Sequence, residues 1–408
     1  MNVDVSIIGA GPAGLAASIE IAKSGLSVAV IDEYFRPGGR LLGQLYDDPK
    51  APPNEKQWDG KKVAQGLVEQ AKVLGVHIFC GVTAWTVNKG WHIKLTGAKE
   101  KSLTSQVLLL ATGAAERALP MPGWTLPGVF SIGAAQTFTN VHHVAVGQRV
   151  MVVGTDPLAL SVVMEMKQAG IDVVGVALPP KSPISSDFSS PINSVGRLAE
   201  VADLAPNPLL RTMGRLASGK LRKLAAHALH FNLLRIEGIP VHMRKAVVSI
   251  EGKNNVEGVI MQSVTVNGDP KGSVKQVEVD AVCLSAGLYP LIDIAQVAGC
   301  PLVDIPELGG LIPVHGPNLR TPVESLFVAG NITGIEGAKV AIAQGKLAAV
   351  SIAQSLGKKT FMSEEQAIKE VTLAREQSPI RFLPHIEEGR DKMNSHWKKI
   401  QKEKGKIS

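Results

Sequence analysis

The chain reads as an α/β protein of two parallel-sheet domains, the second inserted into the first, followed by a helical C-terminal tail. Three observations predict this. Apolar runs of strand length alternate with helical stretches through the first 178 residues. Two strand–helix–strand units, at 3–32 and 148–178, each carry a glycine turn between strand and helix. The length of 408 residues exceeds what one core usually holds. The expected layout is a first domain from 1–145 and 276–360, a second domain over 146–275 with a helical insertion at about 190–236, and a tail over 361–408.

In order, VDVSII (3–8) is a short buried strand, GLAASIEIAKSG an apolar helix, and SVAVID (27–32) a second buried strand. Residues 61–75 have helical spacing, VHIFCGVTAWTV alternates as strand, and LTSQVLLLATG is buried strand ending in a small-residue turn. The second unit runs from Gln148 to Leu178. The Ser/Pro-rich stretch 179–194 reads as loop, and 195–236 as helix. Strands resume at 239–250, 256–265, 280–287 and 325–331. A small-residue helix follows over 334–356, and the charged tail is helical apart from a break at SPIRFLP.

Composition narrows the class. An apolar fraction of 45% and a charged fraction of 19% describe a globular enzyme, not a disordered or fibrous chain. Cys80, Cys283 and Cys300 have no CxxC spacing, so a redox dithiol, a zinc site and an iron–sulfur cradle all lack ligands. Residues 1–8 carry an acid and lack the basic start of a signal peptide, and no run reaches membrane-spanning length; a cytoplasmic chain is expected. The net charge of +7 is concentrated in Arg211–Lys223 and in the tail. Without interleaved aromatics these basic stretches do not describe a nucleic-acid site; they read as solvated faces or as a surface for an acidic partner.

The most informative motif is Gly9-Ala10-Gly11-Pro12-Ala13-Gly14. It follows a strand, opens a helix, and precedes Asp32, with Glu33 beside it, at the end of the second strand. Gly9 permits the tight turn, Gly11 lets a pyrophosphate approach the backbone, and Gly14 lets helix and strand pack. The helix N-terminus offers N–H groups and a positive dipole to phosphate, and Asp32 stands where ribose hydroxyls are held. This is a Rossmann-type dinucleotide unit. The second turn, Gly154-Thr155-Asp156-Pro157-Leu158-Ala159, puts an aspartate where backbone should meet phosphate. Its second strand ends VVGVALPP, with neither an acid for ribose nor an arginine for a 2′-phosphate. A nucleotide-type domain that has lost its ligand is expected there.

Base, nucleophile and metal candidates are scarce. His142 and His143 have no cysteine or acid at metal spacing, and His227 and His230 lie in the basic helical stretch. No catalytic residue and no metal site is assigned.

Further motifs carry a resemblance. GxGPAG and the Arg36-Pro37-Gly38-Gly39-Arg40 run are similar to flavin-binding segments of the glutathione- and thioredoxin-reductase superfamily. Ala111-Thr112-Gly113 resembles its ATG turn. Gly330-Asn331 resembles the GD pair that holds the ribityl chain, with asparagine in place of aspartate, and Gly337-Ala338 opens the helix aimed at the flavin. The run from Glu116 to Val129 (ERALPMPGWTLPGV), together with 318–349, resembles one group in particular. These are the alpha-type (A) subunits of heteromeric amino-acid and opine dehydrogenases: the A subunits of octopine and nopaline oxidase, hydrogen cyanide synthase flavoprotein subunits, dye-linked proline and hydroxyproline dehydrogenases, and heterotetrameric sarcosine oxidase alpha.

The resemblance implies an FAD, or another adenine nucleotide, at Gly9, Ala10, Gly11, Pro12, Ala13, Gly14, Asp32, Glu33, Gly39, Arg40, Thr112, Gly113, Gly330, Asn331, Gly337 and Ala338. It further implies a beta-type substrate-oxidising flavoprotein partner, with FMN in many cases at the shared interface. Many members continue into a cysteine-rich [2Fe–2S] domain; the tail here has no cysteine, so no iron–sulfur cluster of the chain's own is expected, and any cluster falls to a small [2Fe–2S] subunit. The expected function is an FAD-dependent oxidoreductase subunit relaying electrons in the oxidation of an amino or imino acid of proline, hydroxyproline, sarcosine or opine type. Two alternatives stay open: a stand-alone NAD(P)H-dependent flavin reductase of thioredoxin-reductase class, and a non-catalytic nucleotide-binding scaffold.

Overall fold

The computed structural model describes residues 1–48, 50–52, 56–200 and 234–404. It has two large sheets, each wound around one of the two glycine turns, with small two-stranded sheets beside them. In the first, strand Asn2–Ile8 lies between Val28–Asp32 and Ser102–Leu110, parallel to both, with Ile8 opposite Ile31 and Leu110. His77–Cys80 extends the sheet beyond Val28–Asp32, Thr83–Asn88 and His92–Thr96 extend it on the other side, and Leu326–Val328 pairs with Ser102–Leu110. The interior strands are buried on both faces, which explains their unbroken apolar sequences.

The second sheet is formed entirely between the visits of the chain to the first. Its order is Val129–Ser131, Ala281–Leu284, Arg149–Val153, Asp172–Leu178, Ile239–Glu251, Gly258–Val264 and Pro270–Glu278. Helix Pro157–Gln168 lies on one face of this sheet, in a core with Val150, Val152, Val173 and Val241. The crossing between the sheets is itself paired, since Ala114–Glu116 runs antiparallel to Leu288–Pro290.

The second sheet therefore ends later than residue 276. Pro270–Glu278 and Ala281–Leu284 both belong to it, and AVCL (281–284), apolar on both faces, carries no mark of which sheet it joins. Two shorter readings also change. Residues 179–194 are not all loop: a helical turn spans Ser186–Ser189 and a helix spans Pro191–Glu200, with proline at its first position, where a missing N–H costs nothing. The strand expected from Val76 divides into His77–Cys80 and Thr83–Asn88. The remainder of the insertion, including 211–223, His227 and His230, lies outside the described residues.

Helix Pro12–Lys23 packs directly on the long helix Ala338–Ser355. The approach is close because both carry small residues; a Cβ at Gly345 would lie 2.2 Å from the Ala13 carbonyl oxygen. This contact sets the start of Pro12–Lys23 about two turns into Ala338–Ser355. The tail forms helices Glu364–Glu376 and Ile386–Lys404, the first capped by Ser363, whose Oγ accepts from Gln366 N–H. Among the described residues no helix is long and apolar enough to cross a membrane.

Candidate functional site

A cavity of about 590 Å³ opens at the C-terminal ends of the first sheet, within the roughly 300–1,000 Å³ usual for cofactor pockets. The first glycine turn forms its floor. Gly9 adopts φ +109°, and a Cβ there would strike the Ala111 carbonyl oxygen at 2.2 Å. Gly14 is closed off in the same way by Gly9 O at 1.9 Å. Gly11 differs: a Cβ built on it meets nothing within 4 Å, because the position faces the open cavity. It is the N-cap of helix Pro12–Lys23 and no side chain caps it, so the helix presents free N–H donors to whatever fills the cavity. A pyrophosphate fits that donor set.

The other residues expected at the site converge on the same space. Gly9, Pro12, Ala13, Asp32, Glu33, Gly39, Arg40, Thr112, Gly113, Gly330, Asn331, Gly337 and Ala338 all line the cavity, whereas Ala10 and Gly14 sit behind its wall. Asp32 Oδ2 accepts from Ala10 N–H at 2.6 Å and Oδ1 from Tyr34 N–H at 2.8 Å. The carboxylate thus braces the turn as well as facing the cavity; burial raises its pKa, and these two bonds oppose the rise. Thr112 Oγ1 donates to Leu291 O at 2.6 Å, tying the ATG turn to the crossing strand. Asn331 Oδ1 accepts from Glu336 N–H at 3.2 Å. Arg40 donates to Ala114 O at 3.4 Å and lies 3.9 Å from Glu116, which in turn accepts from Gly133 N–H at 2.9 Å. Glu116, from the ERALP run, therefore joins the cavity wall to the start of helix Ile132–Gln136.

The far wall comes from the second domain. Leu158, Ser161 and Glu165 of helix Pro157–Gln168 line the cavity with Gln136. Glu165 is buried, accepts from Gln136 Nε2 at 2.9 Å and Asn140 Nδ2 at 2.6 Å, and forms no ion pair among the described residues. Burial pushes its carboxyl up to about 7, against the downward pull of those amides and of Ser161. The folded value lies above the ordinary 4.5, so stability from this group is full below 4.5 and is lost as pH rises through 7. Glu165→Gln should flatten that slope. Between about pH 5 and 8 the wild type should lose up to roughly 3 kcal/mol relative to the variant in urea unfolding; parallel profiles would show that Glu165 stays ionised throughout.

The second glycine turn has the opposite character. Asp156 is the N-cap of its helix, 4% exposed, and its Oδ1 accepts from Leu158 N–H at 3.1 Å and Ala159 N–H at 3.2 Å. The carboxylate takes the donors that a phosphate would need. Beside it lies a cavity of about 860 Å³ walled by Phe188, Tyr289 and Phe382 among others. We expect no NADH binding there by titration calorimetry up to about 1 mM. Asp156→Gly, which should cost the helix only a few tenths of a kcal/mol, should raise affinity if the carboxylate alone closes the turn. Micromolar NADH binding to the wild type would be incompatible with this account.

Sequence reading missed Gln136, Ser161 and Glu165. One signal was present, for Glu165 is the only charged residue in the apolar run LALSVVMEM. Cys283 and Cys300 are buried, with thiols pushed up to about 12 by burial, and no cysteine forms a disulfide. Among the described residues no cluster of His, Cys, Asp or Glu could hold a metal.

The family model described as pyridine nucleotide-disulphide oxidoreductase matches residues 3–345. The chain is 28% identical over 391 residues to the A subunit of opine oxidase from Agrobacterium tumefaciens (strain Ach5), covering 93% of this chain and 70% of that one. Among solved structures it resembles L-proline dehydrogenase from P. horikoshii, with TM-score 0.64 and 23% identity over 91% of this chain and 59% of the other. It also resembles T. acidophilum thioredoxin reductase, with TM-score 0.61 and 20% identity over 87% of this chain and 99% of the other. Both likenesses are of fold. The chain spans well under two thirds of the proline dehydrogenase chain.

Proposed function

This chain belongs to the pyridine nucleotide-disulphide oxidoreductase family, and within it we propose that it is the FAD-binding subunit of a heteromeric dehydrogenase that oxidises an amino or imino acid at a C–N bond. The observation that carries the proposal is the contrast between the two turns. A family member acting alone on NAD(P)H needs a second site for that nucleotide, and here Asp156 occupies the helix donors. The similarity to the A subunit of opine oxidase, which runs along nearly the whole chain, supports the same reading, as does the lack of a dithiol.

FAD, when bound, supplies an acceptor that takes a hydride and can release electrons singly. The chain's own part is to hold and shape. The uncapped helix start at Gly11 binds the pyrophosphate, Asp32 and Glu33 face the ribose side, and Gly330, Asn331 and Gly337 shape the other end. Glu165 and its amide donors close the inner wall and can hold a proton near neutral pH. Substrate oxidation itself is assigned to a beta-type flavoprotein partner, with FMN at the interface and a small [2Fe–2S] subunit taking the electrons onward.

NADH-dependent dye reduction by the isolated, flavin-loaded chain tests this. We expect none above background. Turnover with NADH would instead identify a stand-alone reductase of thioredoxin-reductase class.

A further inference from the structure

The C-terminal tail borders the first cavity directly, through Ser378, Pro379, Ile380 and Phe382, and it also grips one side chain of the cavity wall. Glu336 is 9% exposed and lines the cavity. Its carboxylate is held by both tail helices at once. Arg375, in Glu364–Glu376, donates through Nε to Oε1 at 2.5 Å and through Nη2 to Oε2 at 3.2 Å. Arg390, in Ile386–Lys404, donates through Nη2 to Oε2 and through Nη1 to the Thr333 carbonyl at 2.6 Å.

From the other side Gln344, on the long helix, donates to Glu336 Oε2 at 3.3 Å and accepts from Gly330 N–H at 2.8 Å and Thr333 Oγ1 at 3.0 Å. The segment 330–337, which supplies the cavity wall between strand Leu326–Val328 and helix Ala338–Ser355, contains only a single 3₁₀ turn of regular structure. Its shape is set by this network.

A buried ion cluster is a poor way to add stability, because desolvating the charges offsets most of their attraction. Its best-attested use is to fix one conformation among several. The arrangement fits that use: two guanidinium groups from two separate helices converge on a single carboxylate, and that carboxylate belongs to the wall of the cavity. A cluster serving only to anchor the tail would not need a cavity residue as its hub.

We infer that the tail is a clamp on the nucleotide site, with Arg375 and Arg390 acting through Glu336 as positioning residues for the 330–337 loop. This rests on the proposed FAD reading, in which that loop faces the flavin half of the nucleotide while the Gly9–Gly14 turn and Asp32 serve the ADP half. The clamp therefore affects one half of the ligand and spares the other. That selectivity separates positioning from general destabilisation.

The test uses the full chain stripped of nucleotide, with FAD and ADP titrated separately. Arg375→Met should weaken FAD at least tenfold, because the loop loses one of its two anchors, and ADP less than twofold, because the first turn is untouched. Arg375→Lys, which keeps the charge and loses the fork, should fall between; it also serves if the methionine variant does not fold. In a Glu336→Gln background the hub is already weakened, so Arg375→Met should add little. Equal loss of FAD and ADP, no loss of either, or an undiminished effect in the Glu336→Gln background would each overturn the clamp while leaving the nucleotide reading standing. Failure of the wild-type chain to bind either ligand would overturn the nucleotide reading, and the clamp with it.

Discussion

Gly11→Asp should yield a chain that is folded, at least as stable as the wild type, and unable to hold its nucleotide. The position tolerates the change: a Cβ there meets nothing within 4 Å, and the backbone at φ −76°, ψ −173° is extended and open to any residue. Gly11 is the N-cap of its helix, and aspartate is among the best N-caps, gaining several tenths of a kcal/mol. The substitution would install in the first turn what Asp156 is in the second, since Gly11-Pro12 and Asp156-Pro157 occupy the same place at the start of their helices. Its carboxylate would bond the donors that a phosphate needs and add like charge about 4 Å from it. At an effective dielectric near 20 that repulsion is about 4 kcal/mol, or roughly a thousandfold in affinity. Nucleotide content after purification and FAD titration measure the loss; thermal unfolding of the nucleotide-free proteins separates it from misfolding. A variant that purifies with full nucleotide content would remove the first turn from the site.

The second large effect concerns assembly. The isolated chain should show no amino-acid or imino-acid dehydrogenase activity with an artificial acceptor, and should gain it only when combined with a beta-type subunit. The grounds are chemical. In the first cavity the buried acid Glu165 accepts from Gln136 and Asn140, and burial raises the Tyr46 hydroxyl far above its ordinary value. On the proposed reading Glu165 serves the cavity wall, and the base that deprotonates a substrate amine belongs to the beta-type partner. Co-expression with a candidate partner, followed by activity on proline, hydroxyproline, sarcosine and opines, measures the gain. Full activity from the lone chain would end the relay proposal. The tail, 361–408, and the basic stretch 211–223 were the sequence's candidates for the interface. The tail's inner face packs Val371, Ile386 and Met393 into the cores, holds Glu336 and lines the first cavity, so deletion of 361–408 should disturb nucleotide binding as well as assembly.

What could be read from the sequence was what is local. The glycine turn, its helix and Asp32 lie within a few dozen residues and obey fixed spacing, so both the fold class and the floor of the cavity were visible. The defect in the second turn was visible too, as Asp156 in a glycine's place. Its cause needed coordinates, for the aspartate does more than repel: it caps the helix. Glu165, Gln136 and Asn140 come together across 25 to 29 residues, and Glu336 meets Arg375 and Arg390 across 39 and 54. No spacing rule links such residues. Strand Ala281–Leu284 went to the wrong sheet because an apolar run buried on both faces looks the same in either.

The central claim is that the first turn holds FAD and the second holds no nicotinamide nucleotide. It is tested most directly by denaturing the purified chain and identifying what it releases, before and after incubation with FAD and NADH together. One FAD per chain and no NADH is the predicted result. A chain that takes up NADH, or that binds no FAD at all, would contradict it.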